Sequence, residues 1–182
     1  MSPPEWPRRW LFYALGGLGV RPILPGTLAA QPAAKRGAVL GPGEGEHLIH
    51  FRDQGDIFIK LGSATGSADL AMGTQQVKVG TGVPMHRHFK MDEAFSIVEG
   101  SGTVVLNDMR YSFEKGGTIF IPRNTWHGFE NPVHELLLLW IVSPAGLDGF
   151  FRETCSPPGA VTKALSAAQI REIALRHDTE FR

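Results

Sequence analysis

Two glycine-bounded segments constrain the fold more than any other part of the chain. The first, Gly80 to Gly100, reads G-TGVPM-H-R-H-FKMD-E-AFSIVE-G, and the second, Gly116 to Asn131, reads G-GTIFI-P-R-N-TW-H-GFE-N. On an extended strand successive side chains project to opposite faces, so His86 and His88 share a face and Arg87 opposes them. Glu93 opens the next apolar run, AFSIV, after a turn through residues 89–92. His127 has to arrive from a strand distant in sequence. Three imidazoles and one carboxylate form a metal-ligand set, and a closed β wall is the construction that delivers all four to one ion.

The flanking sequence supplies such a wall. HLIHF (47–51) and DIFIKL (56–61) are short, β-branched or aromatic, and separated by R-D-Q-G; QQVKV closes a strand around Leu70 to Val79. TVVL (103–106) and RYSF (110–113) flank Asn107-Asp108, two residues that tolerate the left-handed conformation of a tight turn. TIFIP (118–122) follows, and ELLLLWIV (135–142) is apolar on both faces, so both must be covered. No helix signal occurs between residues 45 and 143. An antiparallel all-β sandwich or jelly-roll barrel is expected. Helices come only at the end, with Leu147, Phe150 and Phe151 at helical spacing and a capping box at Ser166 to Gln169. They read as packing elements outside the barrel. The expected divisions are an N-terminal segment 1–30, a linker 31–45, the barrel 46–155 and a C-terminal helical extension 156–182.

These segments carry a resemblance to the cupin superfamily. The first motif of that family, G-x5-H-x-H-x(3,4)-E-x6-G, is matched at Gly80, His86, His88, Glu93 and Gly100. The second, G-x5-P-x-G-x2-H-x3-N, is matched at Gly116, Pro122, His127 and Asn131, with Asn124 in place of its internal glycine. Asparagine is the residue after glycine that best accepts a positive φ, so the turn is expected to survive. The tract GFEN...ELLLLWIVSPAGLDGFF resembles the quercetinase-like single-domain cupins, which implies metal-dependent dioxygenase chemistry. His86, His88, Glu93 and His127 are then the metal ligands, and Glu93 is also the catalytic base that takes a substrate hydroxyl proton. Imidazole and carboxylate without thiolate suit a divalent Fe, Mn, Ni, Co, Cu or Zn ion without choosing among them.

Strand parity places Phe95, Ile97 and Phe129 on the inner wall, Glu99 inward with Glu93, and Glu130 and Trp126 outward. An apolar wall around an ion suits a flat aromatic or other hydrophobic substrate that chelates through oxygen. His47 and His50, three residues apart, cannot share a strand face and read as surface histidines. Two other functions stay open. An isomerase or epimerase of the same fold needs an acid and a base, and Tyr13 and Tyr111 are the only phenols. A nonenzymatic small-molecule-binding cupin keeps the barrel without turnover.

Lysine plus arginine equal aspartate plus glutamate, 18 each, so no global field favours nucleic acid or an anionic membrane. A lone cysteine, Cys155, rules out an internal disulfide and reads as an inert thiol at a helix end. The opening MSPPEWPRRWLFYALGGLGV places two arginines before an apolar run of about eleven residues, too short to span a bilayer. It reads as a twin-arginine-like export signal cleaved near Ala29 or Ala30, giving a periplasmic protein with no membrane span in its mature form. The alternative is a disordered arm on a cytoplasmic protein. Apolar DIFIKL and ELLLLWIV point to a homodimer formed through sheet faces.

Overall fold

Short strands with one apolar face, joined by tight turns, assemble into two facing antiparallel sheets. The computed structural model describes residues 37–182, so the expectations for residues 1–30 lie outside the described residues. The strands are β1 (Glu46–Ile49), β2 (Asp56–Leu61), β3 (Ala71–Val77), β4 (Val83–His88), β5 (Asp92–Glu99), β6 (Ser101–Leu106), β7 (Met109–Glu114), β8 (Thr118–Ile121), β9 (His127–Glu130), β10 (Leu136–Ser143) and β11 (Thr179–Phe181). Two helices, α1 (Leu147–Thr154) and α2 (Ala167–Arg176), lie between the last two strands. One sheet runs β1-β2-β3-β10-β5-β8 and the other β11-β4-β9-β6-β7. This is the all-β jelly roll expected from the strand series.

β10 shows why an all-apolar strand belongs in the middle. It pairs with β3 on one side and β5 on the other, and its alternate residues Leu136, Leu138, Trp140 and Val142 are fully buried between the sheets. Burial of side chains this size stabilises the fold by about 1.5–3 kcal/mol each. The other face, Leu137, Leu139 and Ile141, is half-buried. The β6–β7 hairpin turns through Asn107 and Asp108, both at positive φ as expected. Gly100 separates β5 from β6 at φ +92, where an added Cβ would lie 2.2 Å from the Glu135 carbonyl oxygen. Only glycine satisfies both conditions.

The C-terminal segment departs from expectation. The capping box is present, with Ser166 Oγ accepting from Gln169 N and Gln169 Oε1 accepting from Ser166 N. Beyond α2, however, the chain returns as β11 and pairs with β4, setting Thr179 opposite His88 and Phe181 opposite His86. A three-residue strand is too short to show periodicity in sequence. Its consequence is that residues after the barrel complete the wall that carries two of the histidines. Cys155 closes α1 and is buried, and burial pushes its thiol pKa up, consistent with an inert group. Among the described residues, no helix is long and apolar enough to cross a membrane.

Candidate metal centre

His86 and His88 stand on β4 with Arg87 turned outward between them, and His127 stands on the adjacent β9. Register on these two strands is shifted between Val83 and His86, which brings His86 directly opposite His127. Pro84, which has no N–H to give the ladder, lies inside that irregular stretch. Glu93 crosses from β5 of the other sheet. The four side chains meet between the sheets and are all buried, with one ligand atom of each lying within 4.8 Å of the others. Ligand atoms on opposite sides of one ion stand about 4 Å apart at bonds of about 2.1 Å.

The hydrogen bonds around the rings settle which nitrogen is available. His86 Nδ1 lies 2.9 Å from the Pro84 carbonyl oxygen and His127 Nδ1 lies 2.9 Å from the Thr125 carbonyl oxygen. A carbonyl only accepts, so both Nδ1 atoms carry protons. His88 Nδ1 lies 2.9 Å from Thr179 Oγ1, whose own hydrogen goes to the His177 carbonyl, so this nitrogen is a donor as well. With Nδ1 engaged, each Nε2 is the nitrogen turned toward the common centre, which is the arrangement that orients metal-binding histidines. His88 Nε2 and His127 Nε2 lie 3.2 and 3.0 Å from Glu93 Oε2. His127 Nε2 is nevertheless without a properly aligned hydrogen bond. Three imidazole nitrogens gathered round a buried carboxylate are satisfied either by protons on the rings or by a metal cation held among them.

Electrostatics agree with that reading. Burial alone would raise the Glu93 carboxyl pKa, but the His88 and His127 rings outweigh it and hold the group well below the usual carboxylate range. Burial, reinforced by the His127 and His88 rings, pushes the His86 imidazole well below its ordinary value. An ionised carboxylate and neutral imidazole are the ligand forms.

The remaining sequence assignments divide. Phe95, Ile97 and Phe129 face inward, and Glu130 faces outward to Arg110. Trp126 stacks under Arg87 outside the wall. Asn124 adopts φ 62, so asparagine does replace the family glycine without losing the turn. Glu99 corrects the parity argument. It is exposed and pairs with Lys115 because the β5–β10 register shifts beyond Ile97, between Leu137 and Leu138. His50 corrects another expectation. It is 2% exposed, its Nδ1 lies 3.1 Å from Asp53 Oδ1, and it belongs to the interior. Spacing from His47 identified the two as incompatible on one face but not which of them turned inward.

Residues 73–143 match the family model described as the cupin domain. That span contains both sheets' central strands and all four ligands. The part of the barrel that carries the four side chains is similar to a cupin domain. An RmlC-like cupin from Shewanella frigidimarina superposes with a TM-score of 0.53 at 18% identity, covering 63% of this chain and 97% of that one. A predicted oxalate decarboxylase from Thermotoga maritima gives 0.51 at 19% identity over 59% and 99% of the two chains. Both are likenesses of fold. An uncharacterized protein of Methanocaldococcus jannaschii is 38% identical over 55 residues, 30% of this chain and 44% of the relative, so the likeness spans less than half of that protein.

Two hollows among the described residues differ in relevance. An open cleft of about 770 Å³ lies along β6 and β7, lined by Tyr111, Phe113 and Phe120, and does not reach the ligands. A cavity of about 50 Å³ does reach them. Its lining joins His86 and Glu93 to Phe95, Trp140, Phe150 and Phe181, together with His50, Arg52, Gln75 and Thr179. The polar members come from the turn between β1 and β2, from β3 and from β11, segments that the ligand motifs do not include.

Proposed function

We propose that this cupin is a metal-dependent dioxygenase whose substrate chelates the ion through oxygen. The supporting observation is a buried set of three imidazoles and one carboxylate opening onto a cavity walled by Phe95, Trp140, Phe150 and Phe181. A divalent ion there supplies Lewis acidity and open positions at which an oxygen-donor substrate and dioxygen can meet. The chain's own part is to orient and to exclude water. Proline, threonine and threonine partners fix the rings through Nδ1, and the aromatic wall keeps bulk solvent from the reacting atoms. The His88 and His127 rings favour the ionised form of Glu93, the form in which a carboxylate ligates a cation. Its role as base is the more demanding half of the proposal.

Cavity size bears on the substrate. About 50 Å³ is room for roughly one or two waters, far below the roughly 300 Å³ at which drug-sized ligand pockets begin. Only a molecule of very few heavy atoms fits this cavity as it stands; a larger substrate, a catechol and above all a flat polycyclic aromatic, requires the walls to part. An isomerase or epimerase is the second reading, favoured by His50, a buried imidazole on the same cavity; Tyr111 lies on the outer cleft.

Oxygen uptake decides between them. Protein whose metal has been identified by elemental analysis is offered compact diols, hydroxy acids and catechols. Consumption of oxygen in proportion to substrate loss is expected, and its abolition in His127→Ala together with metal loss. Substrate conversion without oxygen uptake would instead establish the isomerase, and binding without conversion a nonenzymatic cupin.

A further inference from the structure

Arg52 carries a charge that nothing in the metal site uses. Its Nε and Nη2 are both buried and without a hydrogen-bond partner among the described residues, and Arg52 lines the same cavity as His86 and Glu93. Trp140 lines it too, and its Nε1, a third N–H donor, is likewise buried and unpartnered. Nε and Nη2 are the two nitrogens of one edge of the guanidinium, a flat fork that matches the two oxygens of a carboxylate.

The rest of the molecule shows how such forks are ordinarily filled. Arg123 directs Nε and Nη2 to the two oxygens of Asp92 at 3.0 and 2.6 Å, and Arg87 directs the same pair to Glu180 at 2.7 and 2.6 Å. The carboxylate next to Arg52 in sequence is otherwise engaged. Asp53 accepts from the backbone N–H groups of Gly55 and Lys78 and lies against His50. Leaving a buried charged donor unsatisfied is costly, and a fold keeps such a group where a ligand completes it.

We propose that Arg52 is the anion-recognition residue of this cavity, and that the ligand it takes is a carboxylate of few heavy atoms, with Trp140 Nε1 as an accessory donor. The inference rests on the cavity being the substrate site and names the class of substrate. Charge supports it, since a divalent ion held with the single carboxylate of Glu93 would leave the site positive, and Arg52 adds another positive charge. A carboxylate on the fork leaves a neighbouring hydroxyl or carbonyl oxygen of the same small acid for the metal. The volume sets the size limit.

The test is calorimetric titration of the full chain, metal-loaded and metal-free, with acetate, glycolate and the neutral isostere acetamide. Acetate and glycolate are expected to bind once per chain and acetamide at least about tenfold more weakly. Arg52→Gln is expected to weaken carboxylate binding roughly 10–100-fold, the loss of charged hydrogen bonds, with metal stoichiometry unchanged. Arg52→Lys, which keeps the charge without the fork, should fall between. The Tm of ligand-free Arg52→Gln should be unchanged or higher, because two buried N–H donors without partners are gone; a purely structural arginine would lower it. Equal carboxylate affinity in wild type and Arg52→Lys, or acetamide binding as well as acetate, overturns the proposal, and neither result depends on Arg52→Gln folding. Because metal content is measured separately, carboxylate binding absent from protein that holds its metal overturns the role of Arg52 alone. Protein that holds no metal while its carboxylate affinity follows Arg52 overturns the metal reading alone.

Discussion

At the scale of single residues, the ligands depend on partners that no motif names. Thr179 Oγ1 accepts a hydrogen bond from His88 Nδ1 and donates its own hydrogen to the His177 carbonyl, so one hydroxyl fixes both the Nδ1 proton and the direction of that ring. Thr179→Val keeps the shape and removes the acceptor. Metal affinity is expected to fall about 10–100-fold with little change in fold, as read by competition against a chelator. Asp92, one position before a ligand, plays an unrelated part on the surface. The Arg123 side chain and backbone N–H hold its carboxyl at about 2. The stability this pair contributes is complete above the ordinary aspartate value and is lost as pH falls through about 2. Both groups are exposed, so the effect is small. Acid unfolding monitored between pH 5 and 2 should show wild type losing the small advantage it holds over Asp92→Asn, the two curves converging at the acid end.

At the scale of elements, β11 is where the sequence and the structure part company. Its pairing with β4 covers an edge that would otherwise be open, and it contributes Thr179 and Phe181 to the cavity wall. Removing residues 178–182 is expected to lower Tm and to release the metal in step, because the strand that carries His86 and His88 loses its neighbour. Melting curves and elemental analysis of the truncated protein measure both; full metal occupancy would show that β11 only decorates the sheet. The register irregularity of β4 acts in the opposite direction. It is internal to the first motif, yet its effect, aligning His86 with His127, exists only between strands.

At the scale of the whole molecule, the site joins the sheets, since β4 and β9 belong to one and β5 to the other. A bound ion therefore links both halves of the barrel, and binding to the folded state alone raises stability by about 2.7 kcal/mol at a hundred times Kd. Thermal melts should shift upward on adding the native metal and fall back with chelator. The homodimer is a proposal for the outer face of the six-stranded sheet, where Leu40, Phe58, Leu137 and Leu139 line an open groove of about 620 Å³. Sedimentation of the full chain should give twice 19.9 kDa, and Leu139→Glu should give monomer. What the amino-acid sequence determined alone was local: the period-2 strands, the turns at Asn107-Asp108 and Asn124, the all-β class, and which four side chains cluster between the sheets, because glycine spacing and alternation act within a few residues. The inward turn of His50, the outward turn of Glu99, the support from Thr179 and the unpaired fork of Arg52 were decided by tertiary structure. Each depends on a register shift or on a contact between segments far apart in the chain, and neither leaves a periodic trace in either segment.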